Sequence, residues 1–142
     1  MSLQAVLSPL FVEVILTFAL VLLMGKLRND DYSSGAVKPQ DIALREQKWP
    51  ARTAQAANSF SNQFELPVLF YVLTILVWIT RHAGYAFVVL AWIFVISRVL
   101  QAYVHVTSNR VRRRGAFYIV GAVVLMVMWG IYIVEVFTGV IV

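Results

Sequence analysis

Long apolar runs separated by polar stretches set the frame of this chain. They extend roughly over Ser8–Gly25, Pro50–Thr80, Tyr85–Val106 and Ala116–Phe137. Each is about the length an α-helix needs to cross a hydrocarbon layer of roughly 30 Å. Pro9 and Pro50 suit first helical turns. Arg81-His82-Ala83-Gly84 is a tight turn, so the second and third spans are antiparallel neighbours. The second span would be roughly 46 Å long as a continuous helix, so its first two turns, with Arg52 and Gln55, stand outside lipid. Pro67 lies inside that span and removes one backbone hydrogen bond, which predicts a kink and a freed carbonyl near residue 63. The pattern predicts an all-α membrane protein. Residues 1–142 form one four-transmembrane-helix bundle, with polar connections at 26–49 and 107–115.

Polar positions inside the runs recur at helical spacing. Asn58, Asn62 and Glu65 fall at i, i+4 and i+7, and Arg98, Gln101 and His105 at i, i+3 and i+7, so each set shares one face. Asn58 and His105 lie at similar depth on antiparallel segments. Seven residues further in, about 10 Å along each axis, Glu65 and Arg98 reach one level. An isolated charge at that depth costs on the order of 3 kcal/mol on insertion scales. A Glu65–Arg98 contact, direct or through water, is therefore expected. It is either a structural bridge that fixes helix register or the floor of a polar cavity. Lys26, Arg28 and the arginines from Arg110 to Arg114 would rim that cavity and suit a small polyanion.

Other polar positions read more simply. Glu13, with Thr17 one turn on, interrupts the first span near its outer end; it is either a carboxylate snorkelling to water or a contact between subunits. Gly121, Ala122 and Gly130 are small enough for close helix contact. Tyr32, Trp49, Trp129 and Tyr132 suit interfacial anchoring. Asp41 to Gln47 reads as a short helix capped by Asp41.

Composition agrees with the pattern. Of 142 residues, 61% are hydrophobic and 13% charged, and the mean hydropathy is +0.78, far from a soluble domain. There is no cysteine, which excludes disulfides and thiolate sites, and two histidines are too few for a histidine metal cluster. No cleavable signal is evident, because the N-terminus lacks a basic segment before the first apolar run. The net charge of +5 is a matter of placement. Of 12 Lys and Arg, all but Arg81 and Arg98 lie in the first connection with Arg52 or in the third. The positive-inside rule then puts connections one and three in the cytosol and both termini on the other side. This assigns the basic groups to topology rather than to nucleic acid. The compact loops and missing N-x-[ST] triplets lean to a bacterial inner membrane.

The residues resemble the MAPEG family, the membrane-associated proteins of eicosanoid and glutathione metabolism. The likeness rests on four spans, Asn62-Gln63-Phe64-Glu65 with Pro67, Arg98, and Arg114 sixteen residues later in a basic stretch before span four. It implies a homotrimer that binds glutathione between neighbouring subunits near the cytosolic face. It implies that Asn62 and Glu65 contact the peptide and its amino group, that Arg98 and Arg28 bind its carboxylates, and that Arg114 stabilises the thiolate. Asn58, Gln101 and Arg110 are further candidates beside them. The second substrate would be a lipophilic electrophile or hydroperoxide arriving from membrane lipid.

Two positions depart from the family pattern. Asn58 stands where an arginine is common and His105 where a tyrosine is common. The change at Asn58 removes a carboxylate clamp. His105 can still donate a hydrogen bond. Some members of the family bind lipid without catalysis, so the alternative is a non-catalytic lipid-binding or scaffold subunit. An ion carrier built on Glu65, Arg98 and His105 is disfavoured by the lack of an inverted repeat.

Overall fold

A computed structural model describes residues 1–44 and 48–141. The described residues form helices α1 (Leu3–Ser33), α2 (Pro39–Ile42), α3 (Ala51–Asn62), α4 (Leu66–Ile79), α5 (Tyr85–Val106) and α6 (Val111–Thr138), with no strand among them. Four helical segments are long and apolar enough to cross a membrane, α3 and α4 together making one of them. The protein is an integral, multi-pass membrane protein. Ile15, Phe18, Leu22, Ile75, Ile119 and Met126 stand exposed along these helices, as lipid-facing side chains do.

α1 begins at Ser2, whose hydroxyl accepts the Ala5 N–H at 3.2 Å. It does not stop near Gly25 but continues to Ser33. Lys26 and Arg28 are good helix formers once the chain leaves lipid, and a Thr53–Asp31 hydrogen bond ties the extension to α3. The Ser34 N–H closes the helix on the Asp30 carbonyl at 3.0 Å. α2 starts at Pro39, not Asp41. The Asp41 carboxylate instead accepts the backbone N–H of Lys38, at 3.1 Å, inside the first turn. The rest of the helix expected there, Arg45 to Gln47, lies outside the described residues.

The second span is two helices. Between them Gln63, Phe64 and Glu65 bond back to Phe60, Ser61 and Asn62 at 3.0, 3.1 and 3.3 Å, in tight i to i−3 turns. Pro67, the second residue of α4, has no N–H to offer the Gln63 carbonyl, so the ladder cannot run through. Glu65 adopts φ −99° and ψ −106° at the join. α6 begins at Val111, inside the stretch expected as loop. Arginines outside lipid favour helix, and the turn before them closes at Asn109 (φ 49°), whose N–H reaches the Val104 carbonyl at 2.7 Å.

α5 packs along α6 and also against α1 and α3, while α4 touches α1 and α6. The core gathers Phe70, Leu73 and Val77 of α4, Ala91, Phe94 and Val95 of α5, and Leu125 and Met128 of α6. The Phe70 and Phe94 rings stack at 4.8 Å. Gly121 brings α6 close to α5: a Cβ there would lie 2.9 Å from the Ser97 hydroxyl and 3.7 Å from Cδ of Arg98. This packing leaves a cleft between α3, α5 and the start of α6 at the basic end of the bundle.

Candidate functional site

The cleft encloses about 490 Å³ and is lined by Asn58 and Asn62 of α3, Gln101 and His105 of α5, and Val111, Arg114, Gly115, Tyr118 and Ile119 of α6. That is within the usual range for a small-molecule site. Five of the residues singled out by sequence, Asn58, Asn62, Gln101, His105 and Arg114, meet here. Each comes from an element whose end is fixed. α3 stops at Asn62 because of the break before Pro67, α5 reaches the basic end through His105, and α6 starts early enough to make Arg114 helical.

Arg98 sits directly beneath this lining and is 1% exposed. Its Nη1 donates to Oε1 of Gln101, and its Nη2 donates to the Asn62 carbonyl at 3.1 Å. The Asn62 carbonyl at the helix break thus accepts from both the Glu65 N–H, at 3.3 Å, and Arg98. The guanidinium also lies 5.9 Å from the ring centroid of Tyr118. Arg114 donates from Nη1 to Oδ1 of Asn109 at 2.6 Å, which fixes it at the mouth of the pocket. His105 is 3% exposed and lies within electrostatic reach of Arg114. Its Nδ1 and the Nε of Arg98 have no hydrogen-bond partner among the described residues.

Four expected positions fall elsewhere. The Glu65–Arg98 contact is not made directly. The non-helical conformation of Glu65 turns it off the Asn58–Asn62 face, and it is exposed beside Phe64. Helical spacing stops being valid where the helix stops. Arg110 is the exposed residue that precedes α6 and does not line the pocket. Arg28 lies on the α1 extension with its guanidinium 5.2 Å from the centre of the Trp49 ring, outside the pocket of its own chain. Glu13 does not snorkel: it is 0% exposed.

Tyr118 carries no signal in the sequence, although it follows Arg114 by one turn and so shares its face. A cavity of about 500 Å³ at the opposite end is lined by Met1, Trp78, Ile79, Arg81 and Ala83. It offers one ionisable side chain, Arg81, and no converging set of polar groups. Among the described residues no group of three or more His, Cys, Asp or Glu could hold a metal ion.

Two cations, three amides, an imidazole and a phenol around one pocket suit a small, flexible polar ligand with several anionic groups. Comparison with known families matches residues 6–134 to the MAPEG family. No curated protein and no solved structure matches the chain.

Proposed function

Given that the chain belongs to the MAPEG family, we propose that it binds glutathione in the pocket between α3, α5 and α6 and uses the thiol against a lipophilic second substrate. The observation that carries this reading is the convergence of Asn58, Asn62, Gln101, His105 and Arg114 on one cavity above Arg98. Amides and arginines of this kind match the two carboxylates and peptide groups of a tripeptide. Arg98 offers a charged group beneath the pocket, and Asn62 and Gln101 offer amides at its wall.

Arg114, at the mouth, favours the thiolate over the thiol, and the thiolate is the nucleophile. Toward an electrophile the sulfur forms the new bond to carbon, and the leaving group or opened-ring oxygen carries away the electron pair. Toward a hydroperoxide the sulfur attacks the outer peroxide oxygen, the O–O bond breaks and an alcohol leaves. A second glutathione then releases water and the disulfide. Lipid bilayer on the flank of α6 supplies such apolar substrates.

In this reading the chain works as a homotrimer, and a neighbouring subunit closes the open side of the pocket. Arg28 and Glu65, which face away from the pocket of their own chain, become available to a neighbour. In this reading the basic end faces the cytosol, by the distribution of Lys and Arg, and the membrane is a bacterial inner one, by the compact loops and missing N-x-[ST] triplets.

Asn58 and His105 favour a second reading, a non-catalytic lipid-binding or scaffold subunit. Both line the cavity itself, where an arginine and a tyrosine are common in the family. Thermal unfolding of the detergent-purified protein with and without glutathione separates the two. Ligand at one hundred times its dissociation constant stabilises the fold by about 2.7 kcal/mol. A shift that is lost in Arg98→Ala supports the thiol site; no shift in an intact trimer supports the scaffold.

A further inference from the structure

Glu13 is a fully buried carboxylate that the pocket chemistry leaves unused. It is 0% exposed, and neither carboxylate oxygen has a hydrogen-bond partner among the described residues. Arg98 has the complementary problem. It is 1% exposed, its Nη groups go to the neutral oxygens of Gln101 and Asn62, and its Nε has no partner among the described residues. Neutral acceptors satisfy hydrogen bonds but leave the charge uncompensated, which is expensive in a membrane interior.

The topology brings the two residues together. α1 and α5 are parallel and packed on each other, both starting at the end away from the pocket. Glu13 is ten residues beyond Leu3 and Arg98 thirteen beyond Tyr85, so they lie about 15 and 20 Å along their helices, within one turn. Of the two carboxylates that act on Arg98, Glu13 interacts more strongly than Glu65. Thr17, one turn on, donates to the Glu13 carbonyl at 3.0 Å, and α1 packs against α4 as well as α5.

We propose that Glu13 is the positioning residue for Arg98: it is the buried counter-charge on α1 that keeps the guanidinium under the pocket and directed at Gln101 and Asn62. Without it, the long arginine side chain lowers its energy by leaving lipid depth and rising into the water of the pocket.

The test is site-resolved labelling of arginines by phenylglyoxal, read by peptide mass spectrometry on the ligand-free, detergent-purified protein. In the wild type Arg98 is protected relative to exposed Arg113. In Glu13→Gln the Arg98 rate rises at least tenfold while that of half-buried Arg28 is unchanged, and in Glu13→Asp Arg98 is protected again. An unchanged Arg98 rate in Glu13→Gln overturns the proposal. So does an equal rise at Arg28, which marks general loosening. If Glu13→Gln does not fold, the double variant Glu13→Gln with Arg98→Gln decides: a folded double variant supports the pairing and an unfolded one refutes it.

The consequence for ligand rests on the function proposed above. There, Glu13→Gln raises the glutathione dissociation constant at least fivefold and Glu13→Asp restores it. Labelling needs no ligand, so a wild type that ignores glutathione counts against that function and leaves the labelling result for Glu13 unaffected.

Discussion

Replacing Gly121 by alanine tests how closely α6 must approach α5 behind the pocket. The new Cβ would sit 2.9 Å from Oγ of Ser97, 3.7 Å from Cδ of Arg98 and 3.8 Å from Cδ2 of Phe94. The last two are ordinary contacts; the first is not. Ser97 is buried, and its hydroxyl already donates to the Phe94 carbonyl at 2.6 Å. Turning it away forfeits that bond, about 1 kcal/mol, and spreading the helices instead costs about 1–3 kcal/mol. Against this, alanine is better than glycine in a helix by about 1 kcal/mol. The expected net result is a loss of about 1 kcal/mol. In a Ser97→Ala background the obstacle is gone, so the same substitution stabilises by up to about 1 kcal/mol. The coupling in a double-mutant cycle is therefore about 2 kcal/mol, well above the scatter of independent sites. Equilibrium unfolding in detergent micelles for the four proteins measures it. Additive effects would refute the reasoning, because they would mean that Ser97 is not what Gly121 avoids.

Three further outcomes follow from the site and its supports. Pro67→Ala returns an N–H to the Gln63 carbonyl and straightens α3 into α4. Amide exchange at residues 63–67 slows, and on the glutathione reading proposed above the stabilisation by that ligand falls because Arg98 loses the Asn62 carbonyl; unchanged exchange would count against the proline as the cause of the break. Thr53→Val removes the bond to Asp31 that holds the α1 extension on α3 and lowers stability by about 1–2 kcal/mol. Thr53→Ser restores it, as unfolding in micelles will show. On the same proposed reading, Arg114→Ala lowers turnover with a chromogenic aryl halide by about 10²-fold at neutral pH, while the glutathione dissociation constant changes less than that; an unaltered turnover number removes Arg114 from the thiolate.

Periodicity made the membrane bundle legible because lipid imposes long apolar helices and few alternatives. The polar positions were legible for the same reason: Asn58, Asn62, Gln101 and His105 stand out against an apolar background, and their spacing put them on faces that do meet. The limits are equally physical. Glu65 was placed by counting residues through a helix that Pro67 interrupts, and its expected bond to Arg98 disappeared with the helical register. Glu13 read as an interfacial carboxylate because its depth was counted from Ser8, whereas α1 begins at Leu3 and carries Glu13 further in. The α1 extension and the early start of α6 were hidden because charged residues signal the edge of lipid, not the end of a helix. Tyr118 was hidden because one tyrosine in an apolar run carries no pattern, and its position over Arg98 depends on how α5 and α6 meet.

The arrangement at Asn62 also bears on electrical insulation. A broken helix beneath a polar pocket is a weak point in a membrane, since water that followed the loosened backbone inward would carry protons with it. Here the Asn62 carbonyl is taken by the Glu65 N–H and by a guanidinium, a donor that keeps its proton under all physiological conditions. Its fixed positive charge repels protons and metal cations, as an arginine does in a water-selective pore. On the function proposed above, the residue that would greet an anionic ligand is thus also the one that discourages cations from passing below the pocket.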